Sequence, residues 1–177
     1  MRRVVLTYGL IAGAILAAMM FASMAFWDRI GFDKGVVIGY STMVAAFLMI
    51  FFGVRSYRDT VAGGAVSFGR AFKVGLLITL IASVIYVISW EIIYRQMVPD
   101  FADRYAAHVI ERAEARGASA AEIAETRRQM DGYRAGYRNP LVRSAYTFLE
   151  PLPVGLVFTL VTAGILRRRR PTEAREG

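Results

Sequence analysis

Two carboxylates of this chain stand where carboxylates are expensive. Glu91 and Glu150 are the only acidic residues inside its apolar segments. A charge facing lipid at the centre of a membrane helix costs on the order of 2.5–3.5 kcal/mol, so such a residue turns inward and finds a partner or a ligand. The partners nearest in depth are Arg95 and Arg143, and Trp90 adjoins Glu91. Two chemistries fit this set. One is a structural ion pair that pins the third and fourth apolar helices together. The other is a proton or cation site, because two carboxylates brought close share a positive charge more readily than either binds one alone.

A second polar set lies in residues 51–75, between two very apolar runs: Arg55, Tyr57, Arg58, Asp59, Ser67, Arg70 and Lys73. Arg55 and Arg58 are one helical turn apart and share a face if helix reaches that far. Gly63 and Gly64 predict a tight turn, and Ser67 before an apolar run predicts an N-cap. The plain reading is a basic segment just outside a membrane, snorkelling to water. The sharper one is an anion or lipid-headgroup site built from Arg55, Arg58 and the free N–H groups near Ser67. A partner-docking loop is the third.

Other chemistries find little support. There is no cysteine and one histidine, His108, which speaks against a thiolate or histidine metal site and implies no cofactor. No nucleophile–base pair, phosphate loop or zinc-protease spacing is visible, so nothing here argues for an enzyme and the reading leans away from one. The net charge of +8 comes without a nucleic-acid fingerprint. With 56% apolar residues, that charge points to membrane topology and anionic lipid. His108 is left without a role.

Four apolar runs must position these side chains: residues 4–27, 36–54, 72–94 and 145–166. At ~1.5 Å per residue each is close to or beyond what a ~30 Å hydrocarbon core needs. A signal peptide ending near Ser23-Met24-Ala25 is the rival reading of the first run, which is longer than the ~7–15 apolar residues such a signal needs. Small residues recur every fourth position: Gly9, Gly13 and Ala17; Gly75, Thr79 and Ser83; Gly155, Thr159 and Ala163. Such faces let membrane helices approach closely. Residues 97–139 are too charged to insert. Asp100 after Pro99 predicts a helix start, Gly117 a left-handed stop, Ser119 with Glu122 a capping box, and Asn139-Pro140 an end. The expected fold is all-α: an integral membrane four-helix bundle, with an extramembrane helical hairpin between the third and fourth transmembrane helices. Residues 167–170 are all arginine, and the tail to residue 177 is polar.

The central pattern Phe-Phe-Gly-x-x-x-Tyr-Arg-Asp, then Gly-Gly-x-x-Ser-Phe-Gly-x-Ala-Phe-x-x-Gly, resembles the bacterial membrane family catalogued as domain of unknown function 4199. The matching residues include Phe51, Gly53, Tyr57, Arg58, Asp59, Gly63, Gly64, Ser67, Phe68, Phe72 and Gly75. Trp90-Glu91, Pro99-Asp100-Phe101, Gly117-Ala118-Ser119, Tyr137-x-Asn139-Pro140 and Pro153-x-Gly155 extend it over nearly the whole chain. The resemblance implies a small multi-pass protein and no known activity.

Arg2, Arg3, Arg55, Arg58, Arg70, Lys73 and residues 167–170 would share one side, against Arg29 and Lys34 on the first link. The richer side faces the cytoplasm, which places both termini inside a bacterial inner membrane and the hairpin outside. Three functions follow as expectations. The first is a non-enzymatic structural or accessory protein that binds a protein partner or lipid. The second is a small oligomeric transporter or channel using Glu91 and Glu150. The third is a lipid-binding or lipid-modifying protein using the 55–73 segment. The expected partners are membrane lipids, anionic on the cytoplasmic side, with a second copy or another membrane protein possible and no nucleic acid.

Overall fold

The computed structural model describes residues 1–167; the other arginines of the 167–170 run and the tail lie outside the described residues. Every described element is a helix: α1 (Arg2–Ala25), α2 (Trp27–Thr60), α3 (Phe68–Gln96), α4 (Phe101–Ala115), α5 (Ala120–Arg138), α6 (Pro140–Leu149) and α7 (Pro151–Leu166). Among the described residues four stretches are long and apolar enough to cross a membrane: Arg2–Ala25, Arg29–Thr60, Phe68–Gln96 and Pro140–Leu166.

The distribution of apolar side chains shows which solvent this fold is built for. Leu16, Met43, Phe47, Ile50, Val74 and Ile78 are buried in a continuous core. Yet Leu10, Val37, Leu48, Ile88, Val157, Leu160 and Ile165 stand exposed on the outer faces of the same helices. Water would penalise so large a contiguous apolar surface, and lipid does not. The inner seam carries the small and hydroxylated residues instead. Thr79, Ser83, Thr159 and Thr162 are all buried.

Between α3 and α7 that seam is a close approach of glycine to threonine. A Cβ on Gly75 would come within 2.9 Å of the Thr159 methyl and 3.0 Å of the Ile50 Cγ2. A Cβ on Gly155 would run into the Thr79 methyl, with the Thr79 hydroxyl at 2.9 Å. The pair is reciprocal: each glycine receives the threonine of the other helix, and the two hydroxyls meet at 3.4 Å. α7 also packs on α2, while α1 packs on both α3 and α2.

Three boundaries differ from the sequence expectation, each for a local reason. The polar link at residues 28–35 is helical, broken at Gly31 with φ 65°. Only glycine adopts that angle without strain. Trp27 and Phe32 on either side of the break pack edge to face at 4.8 Å and both reach Phe101 of α4, so aromatic contact replaces an open loop. α2 then runs on past residue 54 to Thr60, since Arg55 and Asp59 are an i,i+4 pair and Thr60 donates to the Ser56 carbonyl. The fourth span starts at Pro140, not near residue 145. Asn139 caps it by accepting from the Leu141 amide at 2.9 Å, and Pro140 fills the first helical position. The Glu150 backbone stays helical (φ −63°, ψ −51°), so α6 continues into α7 in spite of Pro151.

α4 and α5 pack against each other across Gly117. The Ala118 amide donates to the Ala113 carbonyl and the Gly117 amide to that of Glu114, a Schellman closure. Ser119 and Glu122 form the reciprocal capping box, in which the Ser119 hydroxyl and amide hold the Glu122 carboxyl below its usual range. Ser67 and Asp100 occupy N-cap positions but make no side-chain cap bond; Asp100 accepts from Arg104 instead.

Candidate functional site

Glu91 emerges from the last turns of α3 and meets Arg143 of α6. Arg143 Nε donates to Glu91 Oε1 at 2.9 Å and Nη2 to Oε2 at 2.6 Å, a two-pronged pair. The Ser144 hydroxyl donates to Oε1 at 3.1 Å, and Arg95 approaches Oε2 at 3.9 Å. The third prong, Arg143 Nη1, donates to the Tyr137 carbonyl at 3.0 Å. The guanidinium also lies 3.9 Å over the Tyr94 ring. With its side chain 4% exposed, Arg143 is a buried charge whose donors are spent inside the protein. One residue therefore ties α3, the end of α5 and α6 together.

Glu150 takes a different direction. Its Oε2 accepts from the Tyr86 hydroxyl at 3.0 Å. Both side chains belong to the wall of a cavity of about 510 Å³. Met19 and Met20 of α1 and Trp90 of α3 line it. Phe101 and Tyr105 of α4 with Tyr133 and Tyr137 of α5 line it as well. Trp90 Nε1 donates to the Tyr137 hydroxyl at 2.7 Å, and Trp90, Phe101 and Tyr137 form a second buried cluster with Ile93, Val98 and Ala102. Burial pushes the Tyr133 phenol up to about 12 and raises that of Tyr137 as well, so both remain neutral donors at physiological pH. Tyr40 of α2 (48% exposed) and Tyr146 of α6 (52% exposed) both line the cavity, and together they mark its mouth.

The sequence-predicted residues thus fall into three places. Glu91, Arg95 and Arg143 come together. Trp90 and Glu150 face the cavity, Glu150 with Tyr86. Arg55 (3.7 Å) and Arg58 (2.7 Å) converge on Asp59 at the C-terminal end of α2, where Tyr57 is buried. Ser67, Arg70 and Lys73 are exposed around the start of α3. His108 stacks on Phe32 at 5.0 Å and lies 3.5 Å from Asp33, which also binds Arg112 at 2.7 Å, so α4 is clasped to the start of α2. Tyr40, Tyr86, Phe101, Tyr105, Tyr133 and Tyr146 were not expected as site residues. Two i,i+4 aromatic pairs, Phe101 with Tyr105 and Tyr133 with Tyr137, are the signal that points to them.

The family described as "Protein of unknown function (DUF4199)" matches residues 7–168. The chain belongs to that family. The match covers all four apolar stretches, the α4–α5 pair and the cavity they enclose, so this DUF4199 protein carries the cavity within the family's own bounds. No curated protein and no solved structure matches it.

Proposed function

We propose that this DUF4199 protein is a non-enzymatic binding protein that holds an amphiphilic molecule at the outer edge of the bacterial inner membrane. The cavity is the observation that carries this reading. It has the volume of an ordinary small-molecule site and walls that are mostly apolar and aromatic with a few convergent polar groups. Its mouth carries Met19, Val36, Tyr40 and Tyr146, exposed side chains of the kind that lie against lipid and its interface. Glu91 is already matched by Arg143, so a transport reading would have to run on Glu150 alone. Arg55, Arg58, Arg70 and Lys73 at the opposite end suit anionic lipid on the cytoplasmic side, and the outer apolar faces suit a second copy or another membrane protein.

A glycine supplies the test. Gly39 lines the cavity, and a Cβ there would meet nothing within 4 Å. Gly39→Phe therefore fills the cavity without straining the helix. Protein purified under mild conditions and analysed by mass spectrometry should carry a small amphiphile that Gly39→Phe lacks. Equal content in the two proteins, or none in either, would refute the reading.

The orientation is tested separately. It rests on the arginines and lysines at residues 2–3, 55–73 and 167–170, against Arg29 and Lys34. Reporter fusions after Gly31, near Gly64, near Gly117 and at the C-terminus should read out, in, out, in. A cytoplasmic signal near Gly117 is incompatible with it.

A further inference from the structure

The polarity of the cavity wall is one-sided. Glu150 is the one charged side chain among the described lining residues, with no described arginine, lysine or histidine in the lining beside it. Both tryptophans of the chain and six of its nine tyrosines line the same space. Aromatic faces carry the negative lobe of the ring quadrupole, so they attract cations and repel anions. An anionic head would meet a carboxylate and ring faces with no positive group to answer it. A bare divalent metal would find one carboxylate where it needs six or more oxygens.

The protein already contains one example of the matching chemistry. The Arg143 guanidinium sits 3.9 Å over Tyr94 and 5.9 Å from the Tyr137 ring, and Tyr137 is itself a wall of the cavity. Glu91 neutralises Arg143 with two short hydrogen bonds, so Arg143 does not cancel Glu150 across the wall. Glu150 is held by a neutral hydroxyl alone, that of Tyr86. Leu16, Met19 and Met20 supply a flexible, polarizable apolar lining along which a chain can lie.

From this we infer that the cavity recognises an ammonium head carried on an apolar chain, with Glu150 as counter-ion and the surrounding tyrosine and tryptophan rings as the cage. The inference rests on the cavity being an amphiphile site, and it adds the sign of the charge. The head is either that of a soluble cationic amphiphile or the amine of a zwitterionic phospholipid.

Because both tryptophans line the cavity, intrinsic fluorescence reports its occupancy. The full-length protein in phosphatidylglycerol nanodiscs is titrated at pH 8 with dodecyltrimethylammonium, with dodecyldimethylamine oxide, which carries no net charge, and with dodecanoate. The expected result is a saturable change with the cation that Gly39→Phe abolishes. Glu150→Gln should weaken binding about tenfold, the loss of one charge-assisted contact. Should Glu150→Gln fail to fold, as judged by circular dichroism, Tyr40→Leu at the exposed mouth should still cost several-fold. Discs doped with phosphatidylethanolamine separate the sources: competition with the probe identifies lipid, and no competition a soluble amphiphile. Equal affinity for the amine oxide, or an unchanged Kd in both Glu150→Gln and Tyr40→Leu, would overturn the cation assignment while leaving the cavity a binding site. If no probe gives a saturable signal that Gly39→Phe removes, the cavity reading falls as well.

Discussion

Replacing Arg143 with methionine is expected to lower the unfolding free energy by about 3–5 kcal/mol, because it leaves Glu91 as a partly buried charge without its partner. The side chains of the pair are 4% and 19% exposed, so solvent cannot step in for the missing guanidinium. Glu91→Leu should cost a similar amount by stranding Arg143. The double variant Arg143→Met with Glu91→Leu should recover most of the loss, since no charge then remains buried and the two apolar side chains pack in its place. Arg143→Lys should not rescue. An ammonium cannot make the fork to both carboxylate oxygens and the bond to the Tyr137 carbonyl together. Unfolding of the purified variants in mixed micelles measures all four. A single-variant loss under about 0.5 kcal/mol, or strict additivity in the double variant, would mean that the pair is not what fastens α6 to α3.

Gly155→Leu is the second large effect, expected to cost about 1–3 kcal/mol or more by forcing apart two helices already in contact. The cause is packing and not the hydroxyl pair. Interhelical hydrogen bonds in membrane proteins average about 0.6 kcal/mol. The Thr79 hydroxyl also donates to the Gly75 carbonyl of its own helix at 3.1 Å, so its long 3.4 Å approach to Thr159 adds little. Thr79→Ala alone should therefore be mild. Combined with Gly155→Ala it should relieve most of the clash, since the methyl and hydroxyl that a new Cβ meets are gone. Gly164 on the same helix is the control: nothing lies within 4 Å of its Cβ position, and Gly164→Ala should be neutral or slightly stabilising through helix propensity. The same unfolding measurement applies, and a Gly164→Ala loss as large as that of Gly155→Leu would remove the packing argument.

The all-helical membrane fold was legible because its signals are local. Strongly apolar runs of some twenty residues give the spans, and Gly117 with Ser119 and Glu122 marks the break between α4 and α5 where the chain in fact turns. The family could be read from the glycine-rich pattern around Gly63 and Gly64. The candidate site was legible only in its depth. Sequence places Glu91 and Glu150 at similar heights along their helices, and it gives the rotation of each helix only relative to itself. Which way Arg143 points is decided by the packing of α6 on α3 and α5, so the choice of Glu91 as its partner could not be read. The cavity escaped for the same reason. Its walls come from six helices and the α6–α7 junction, and the residues of α1 and α2 that line it meet those of α3 to α6 only through the packing of the helices.

The α3–α7 seam also sets an order of events during synthesis. Gly75 and Thr79 leave the ribosome long before Thr159, the partner eighty positions later. α1, α2 and α3 can associate as soon as they are inserted, whereas the groove between α2 and α3 stays open to lipid until the final helix arrives to fill it. Between the two, the charged α4–α5 segment has to be placed, and Arg143 cannot reach Glu91 until that excursion of 52 residues is complete. The newly made protein therefore passes through a three-helix stage with a notch of glycine and threonine facing the bilayer. Docking of α7, with Thr159 against Gly75 and Gly155 against Thr79, ends the exposure.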